Sequence, residues 1–264
     1  MKFLNFFALL FSVLAYSQEK KDFKIGEILE IDSKILNEKR TLNINLPQDY
    51  NPNEKYDVIY LLDGSANEDF IHVSGLVQFF KLQLKMPNTI IVGIANVDRK
   101  RDFTFLTTIE KDKKDFPTTG GSEEFIEFLE KELQPFVNQK YTTTDKKYLI
   151  GQSLGALLAS EILIKKPNLF NQYLIISPSF WWDNESLLKL AEEKVDKKDF
   201  NNTFVYISVG KEHPTMVKEA KKFSEILNKK GVKNEFRYLE DENHATVLHA
   251  SLYEVFKILF PYKD

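Results

Sequence analysis

Gly151-Gln152-Ser153-Leu154-Gly155 fits the pattern GxSxG, a serine between two glycines. Its surroundings decide whether that serine can act as a nucleophile. The run KKYLI ahead of it reads as a strand and Leu154 to Lys166 as a helix, so the motif falls on a strand-to-helix turn. Such a turn pushes the Ser153 hydroxyl out of the sheet, and little bulk at 151 and 155 lets helix and strand pack closely. The helix N-terminus then faces the reacting oxygen. A serine hydroxyl is a weak nucleophile on its own and needs a base within hydrogen-bond reach.

There are four histidines, His72, His213, His244 and His249, so the choice of base is short. For a serine in this motif the acid and then the histidine follow in the chain, the histidine in a loop after the last strand. His244 meets both conditions. It follows the strand Glu235 to Leu239 and an acidic turn, and precedes a terminal helix bearing His249, Leu252, Val255, Phe256 and Leu259. His249 falls inside that helix and reads as a packing or surface residue. His213 is a competitor, but it ends the preceding strand, where an acid is expected. Glu212, beside it, is placed to orient and charge-stabilise an imidazole. Asp241 and Glu242 are rivals close to His244, although an exposed acidic turn explains both. A Ser153–His244 dyad with no essential acid also stays open.

The elements that must position these groups alternate. Lys24 to Ile31 and Arg40 to Leu46 read as antiparallel hairpin strands, because apolar residues alternate in TLNINL and Pro47 with Asp49 to Asn53 supplies a turn. From Asp57 onward come short apolar runs, VIYLLDG, TIIVGIAN, KKYLIGQ, YLIISPS and TFVYISVG, which suit buried parallel strands. Helical spacing falls between and after them, at Phe70 to Leu84, Ser122 to Val137, Leu154 to Lys166, Glu185 to Lys194, Met216 to Lys230 and His249 to Leu259. This order predicts a doubly wound α/β domain. Glu110 to Gly121 reads as a long polar loop, the kind that often borders an active site.

Composition narrows the chemistry further. The chain has 264 residues, 43% hydrophobic and 28% charged, as expected of a globular domain. Thirty-six basic against thirty-nine acidic residues leave a formal charge of −3, too balanced for a nucleic-acid footprint. The absence of cysteine excludes disulfides, thiolate metal sites, a cysteine nucleophile and a lipid-modified N-terminal cysteine. At the N-terminus, Lys2 precedes an apolar run from Phe3 to Ala15, and Ala15 and Ser17 are small residues two apart. That layout predicts a signal peptide over residues 1–17 and one domain over 18–264, exported to the periplasm or beyond the cell. The run is shorter than the roughly 20 apolar residues that span a bilayer. No later stretch is long and apolar enough to span one, so no integral membrane segment is expected in the mature form. The sequence does not set the oligomeric state.

YLLDGS, NVDRKRDFTF, GQSLGALLASEILIKKPNLFNQYLIISPSFWWDN and EDENHATVLHASLYEVFKILF together resemble the esterase branch of the α/β-hydrolase superfamily. Within it the chain is similar to periplasmic siderophore trilactone esterases, over roughly Lys39 to Tyr262. The resemblance implies an α/β-hydrolase fold, a small-molecule ester substrate, no metal or other cofactor, and a place in iron uptake. It implies Ser153 as nucleophile, His244 as base and the Leu154 N–H as one oxyanion donor, with a second from Gly64 or Ser65 in the loop after YLLDG. Arg99, three residues before Asp102, matches an arginine carried by family members and reads as a clamp for an anionic or catecholate substrate. Gln152 stands where the branch most often has His, Ala156 replaces the usual Gly, and Phe105 the usual Pro. These departures bear on the substrate and remove no reacting group. Trp181 and Trp182 sit where aromatic faces could stack on an aromatic acyl group, with at least one of them expected in the core. Feruloyl or acetyl-xylan esters are the alternative substrates. A non-catalytic binding protein on a hydrolase scaffold is the alternative of another class.

Overall fold

The computed structural model of the chain describes residues 20–261, and the predicted signal segment lies outside them. The N-terminal hairpin forms where alternation predicts it. Strand β1 (Glu27–Ser33) pairs antiparallel with β2 (Glu38–Asn45). The apolar runs become β3 (Tyr56–Leu61), β4 (Thr89–Ile94), β5 (Thr143–Gln152), β6 (Gln172–Ile176) and β7 (Phe204–Gly210), followed by β8 (Asn234–Leu239). One sheet joins them in the order β1-β2-β4-β3-β5-β6-β7-β8. β2 meets β4 antiparallel, and from β4 to β8 every neighbouring pair is parallel.

Every residue of β3, β4 and β7 is buried, which requires cover on both faces of the sheet. In chain order the helices are α1 (Phe70–Leu84), α2 (Arg99–Phe103), α3 (Glu110–Asp115), α4 (Ser122–Phe128), α5 (Gln134–Lys140), α6 (Leu154–Lys165), α7 (Ser186–Lys194), α8 (Pro214–Lys229) and α9 (Val247–Leu259). Strand side chains alternate between faces with period two. Ile59 and Leu61 pack with α1 and α9, whereas Val58 and Tyr60 belong to the larger core under α4 to α8.

Two elements differ from the sequence reading. The stretch from Ser122 to Val137, predicted as one helix, is interrupted by a π-turn at Leu129–Leu133. Pro135 supplies the reason: it has no N–H to donate, and its ring crowds the carbonyl four residues earlier, so the helix widens ahead of it. The predicted loop from Glu110 opens instead with α3, a helix that buries no residue. Lys111–Asp115 and Lys113–Glu110 ion pairs lie along its exposed side, and Asp112 ties it down by accepting from the Thr107 hydroxyl and the Asp183 N–H. A helix without an apolar stripe has no hydrophobic period to read.

The chain passes from β3 to β4 on one side and returns to β5 on the other. That reversal opens a crevice at the C-terminal ends of β3 and β5, where open α/β sheets bind ligands. Beneath it, a buried ionic cluster ties the N-terminal hairpin to the helices. Arg40, wholly buried, bonds Asp102 at 2.7 Å, Glu38 at 2.8 Å and the Ala95 carbonyl at 3.1 Å, and its guanidinium lies 5.1 Å from the centre of the Phe125 ring. Arg101 pairs with the same two carboxylates. Asp102→Ala leaves Arg40 buried with half its charge partners, and the expected loss is about 3–5 kcal/mol by urea unfolding.

Glu219 on α8 is 2% exposed, and its Oε2 has no hydrogen-bond partner among the described residues. Burial, with the Glu185 charge adding to it, pushes its carboxyl up to about 7. The unfolded chain ionises this group near 4.5, so between those values the folded form holds a proton that the unfolded form has lost. Stability from this group therefore falls as pH rises through that window. Glu219→Gln is expected to melt above the wild type at pH about 8, with the difference closing near pH 4.

Candidate active site

β5 ends at Gln152, and Ser153 turns the chain at φ +59, ψ −118 before α6 begins. Few L-residues hold such a conformation, and surrounding contacts must enforce it. The Ser153 N–H donates to the Ile176 carbonyl at 3.0 Å, pinning the turn to the end of β6. A Cβ built on Gly151 would lie 2.4 Å from the Gly155 carbonyl oxygen, so only glycine fits at 151. At Gly155 the same atom would meet nothing closer than 3.4 Å, an ordinary contact, so the second glycine is the less constrained of the two.

The residues that the sequence offers as base and acid come from the next strand ends. β7 stops at Gly210, and Glu212 follows with a side chain 4% exposed. His244 stands in the loop between β8 and α9, its Nδ1 2.7 Å from Glu212 Oε2. The other carboxylate oxygen accepts from the Ser177 hydroxyl and, at 3.2 Å, from the Gly210 N–H. Burial alone raises the Glu212 carboxyl, but the bonds from His244, Ser177 and Gly210 outweigh it and hold it below the usual carboxylate range. An ionised carboxylate only accepts, so the proton between the two groups sits on Nδ1, and in the neutral imidazole the Nε2 lone pair is then the one that can take a proton. Gln152 donates its side-chain amide to the His244 carbonyl, fixing the histidine loop to the turn.

Ser153, Glu212 and His244 line one cavity of about 590 Å³, walled by Trp181 and Met216, with Lys211 and His213 at its edge. Ser179 Oγ stands 3.3 Å from Ser153 Oγ. A hollow of about 460 Å³ at the opposite ends of the strands, lined by Lys147, Asn171 and Lys198, contains no serine and no histidine.

This geometry suits acyl transfer, and the comparison with known proteins gives it a family. The model of the Esterase family, Putative esterase, matches residues 33–251. The chain belongs to this esterase family. It is similar to the ferri-bacillibactin esterase BesA of Bacillus subtilis, 31% identical over 242 residues that cover 80% of this chain and 82% of the relative. An IroE-like serine hydrolase from Shewanella oneidensis superposes with a TM-score of 0.81 at 32% identity, covering 89% of this chain and 80% of that one. The BES protein from Bacillus cereus gives 0.79 at 30% identity, covering 95% and 99%. The protein is a serine esterase with an α/β-hydrolase fold.

Other residues of the esterase singled out from sequence are distributed unevenly. His213 lines the cavity but turns its Nδ1 to the Thr215 N–H, capping α8. His249 stacks edge-on against His72, ring centres 5.2 Å apart, between α9 and α1. Asp241 is exposed, and the Glu242 carbonyl accepts from the Lys211 N–H. Trp181 faces the cavity. Trp182 is wholly buried, donating to the Phe105 carbonyl at 3.0 Å and packing on Phe116, and so is a core residue rather than a substrate contact.

Gly64 is corrected as an oxyanion donor: its N–H is bonded to the Ile94 carbonyl at 3.0 Å. The Ser65 N–H points to the exposed Glu68 carboxylate at 3.3 Å. Two serines that sequence reading passed over, Ser177 and Ser179, stand at the cavity end of β6. Their one signal was a place in SPSFWWDN, directly after a buried strand.

Arg99 does not line the cavity. Its guanidinium forks onto Asp63 at 2.6 and 2.9 Å and reaches the Gln152 carbonyl at 3.3 Å, which braces the turn from behind. Arg99→Ala is therefore expected to lower kcat for neutral and anionic esters alike and to lower Tm. Steady-state kinetics on a matched ester pair check this, and a loss confined to the anionic ester would give Arg99 the clamp role.

Proposed function

We propose that the esterase opens siderophore-type esters, trilactones above all, by two-step acyl transfer through Ser153, His244 and Glu212. The observation that carries the mechanism is the 2.7 Å bond between His244 Nδ1 and a buried, ionised Glu212 in the cavity that holds the strained Ser153. Ser153 Oγ attacks the ester carbonyl as its proton passes to His244 Nε2. The imidazolium that forms is stabilised by Glu212 and returns the proton to the departing alcohol oxygen. Water, deprotonated by the same nitrogen, then releases the acyl group.

The tetrahedral oxyanion is held by the Leu154 N–H at the first turn of α6, where the helix dipole favours negative charge. Ser65 supplies a second N–H once the exposed Glu68 carboxylate leaves it. The substrate reading draws on the relatives, among them an enzyme named for ferri-bacillibactin, and on Trp181, whose indole offers a stacking wall for an aromatic acyl ring. Residues 1–17 carry the layout of an export signal, which puts the reaction outside the cytoplasm.

The test is hydrolysis of ferric and iron-free catecholate trilactone by wild type, Ser153→Ala and His244→Ala, with products identified by mass spectrometry. The wild type is expected to yield linear fragments, and each variant to lose about a thousandfold or more in kcat. Near-wild-type turnover by Ser153→Ala overturns the mechanism. Turnover of feruloyl or acetyl-xylan esters with an intact trilactone overturns the substrate and leaves the mechanism standing.

A further inference from the structure

Ser177 follows the last residue of β6 and holds φ +47 with its side chain wholly buried. The conformation is fastened by its own N–H, which donates to the Ser208 carbonyl of β7 at 2.7 Å. A residue with a Cβ is strained in this left-handed conformation, which glycine adopts freely. A serine differs from glycine here only by its CH₂OH group, and that hydroxyl donates to Glu212 Oε1. The Gly210 N–H reaches the same oxygen at 3.2 Å. Oε1 is thus gripped from the ends of two adjacent strands, and Oε2 is left to meet His244 Nδ1 at 2.7 Å.

We propose that Ser177 is a positioning residue of this esterase, holding the Glu212 carboxylate in the one orientation that presents Oε2 to His244. The proposal rests on the triad reading above. Without the hydroxyl, the Gly210 N–H alone grips Oε1, and the carboxylate can rotate about its terminal torsion, which has no sharp preference of its own. His244 then loses the fixed acceptor that sets its ring plane and keeps its proton on Nδ1. Ser177 is outside the cavity lining, so its removal acts on turnover and leaves substrate binding alone. The lowered pKa of Glu212 agrees with this, since Ser177 is among the donors that favour its charged form.

The test is a double-mutant cycle of Ser177→Gly and Glu212→Gln, with kcat, KM and Tm measured on a short p-nitrophenyl ester. Ser177→Gly is expected to lower kcat by about ten- to hundredfold, the worth of a hydrogen bond to a charged group, at unchanged KM. Its Tm should stay within a few degrees of the wild type, because relief of the left-handed strain offsets the lost hydrogen bond to the buried carboxylate. Added to Glu212→Gln, the same substitution should change kcat by less than about twofold. Ser177→Ala, which removes only the oxygen, should match the glycine variant in kcat. Equal losses from Ser177→Gly in both backgrounds, or wild-type kcat in Ser177→Gly while Glu212→Gln is impaired, overturns the positioning role. Wild-type kcat in Glu212→Gln overturns the triad reading itself.

Discussion

At the junction of β5 and α6 the backbone of Gly155 comes so close to residue 151 that no Cβ fits there. Much of the site follows from that approach. It forces Ser153 into a conformation that a free chain would seldom visit, and the neighbouring strand must hold it through the Ile176 carbonyl. Arg99 and Asp63 brace the turn from the β3 side, and Gln152 ties it to the histidine loop. Strain at one residue is thus spread over contacts from β3, β6 and the β8–α9 loop.

The second organising fact is depth. Glu212 is nearly closed off from solvent while its partner His244 is about half exposed. A carboxylate at that depth stays ionised only because donors converge on it, and all three come from the ends of parallel strands or the loops that leave them. Parallel strands bring their C-terminal ends to one edge of the sheet, so residues far apart in the chain meet there without long-range loops. The buried Arg40 cluster also keeps its charges by mutual pairing, with two cations interleaved between two carboxylates.

Hydrophobic period predicted α1 from Phe70 to Leu84 and the runs that became β3 to β7, because burial on two faces writes itself into composition. GxSxG and the order of acid and histidine led to Ser153, Glu212 and His244, which the fold brings to one cavity. Gly64 was misjudged because a backbone N–H has no side-chain signature, and its partner at Ile94 lies on another strand. Arg99 raised a clamp expectation because charge is visible in sequence, whereas the Asp63 that engages it is 36 residues away. α3 escaped because no apolar stripe marks it, and Ser177 because a positive φ has no letter of its own.

The two tryptophans of the chain stand next to each other and occupy opposite environments. Trp182 is sealed in the core beneath Phe116, while Trp181, with its ring centre 6.1 Å away, forms part of the cavity wall. The protein therefore carries an intrinsic optical reporter of its cavity. One indole senses the polarity and quenching of whatever enters the cavity. The other, shielded from solvent and fixed by its bond to the Phe105 carbonyl, is close enough to pass its excitation to the first, so a quencher in the cavity dims both.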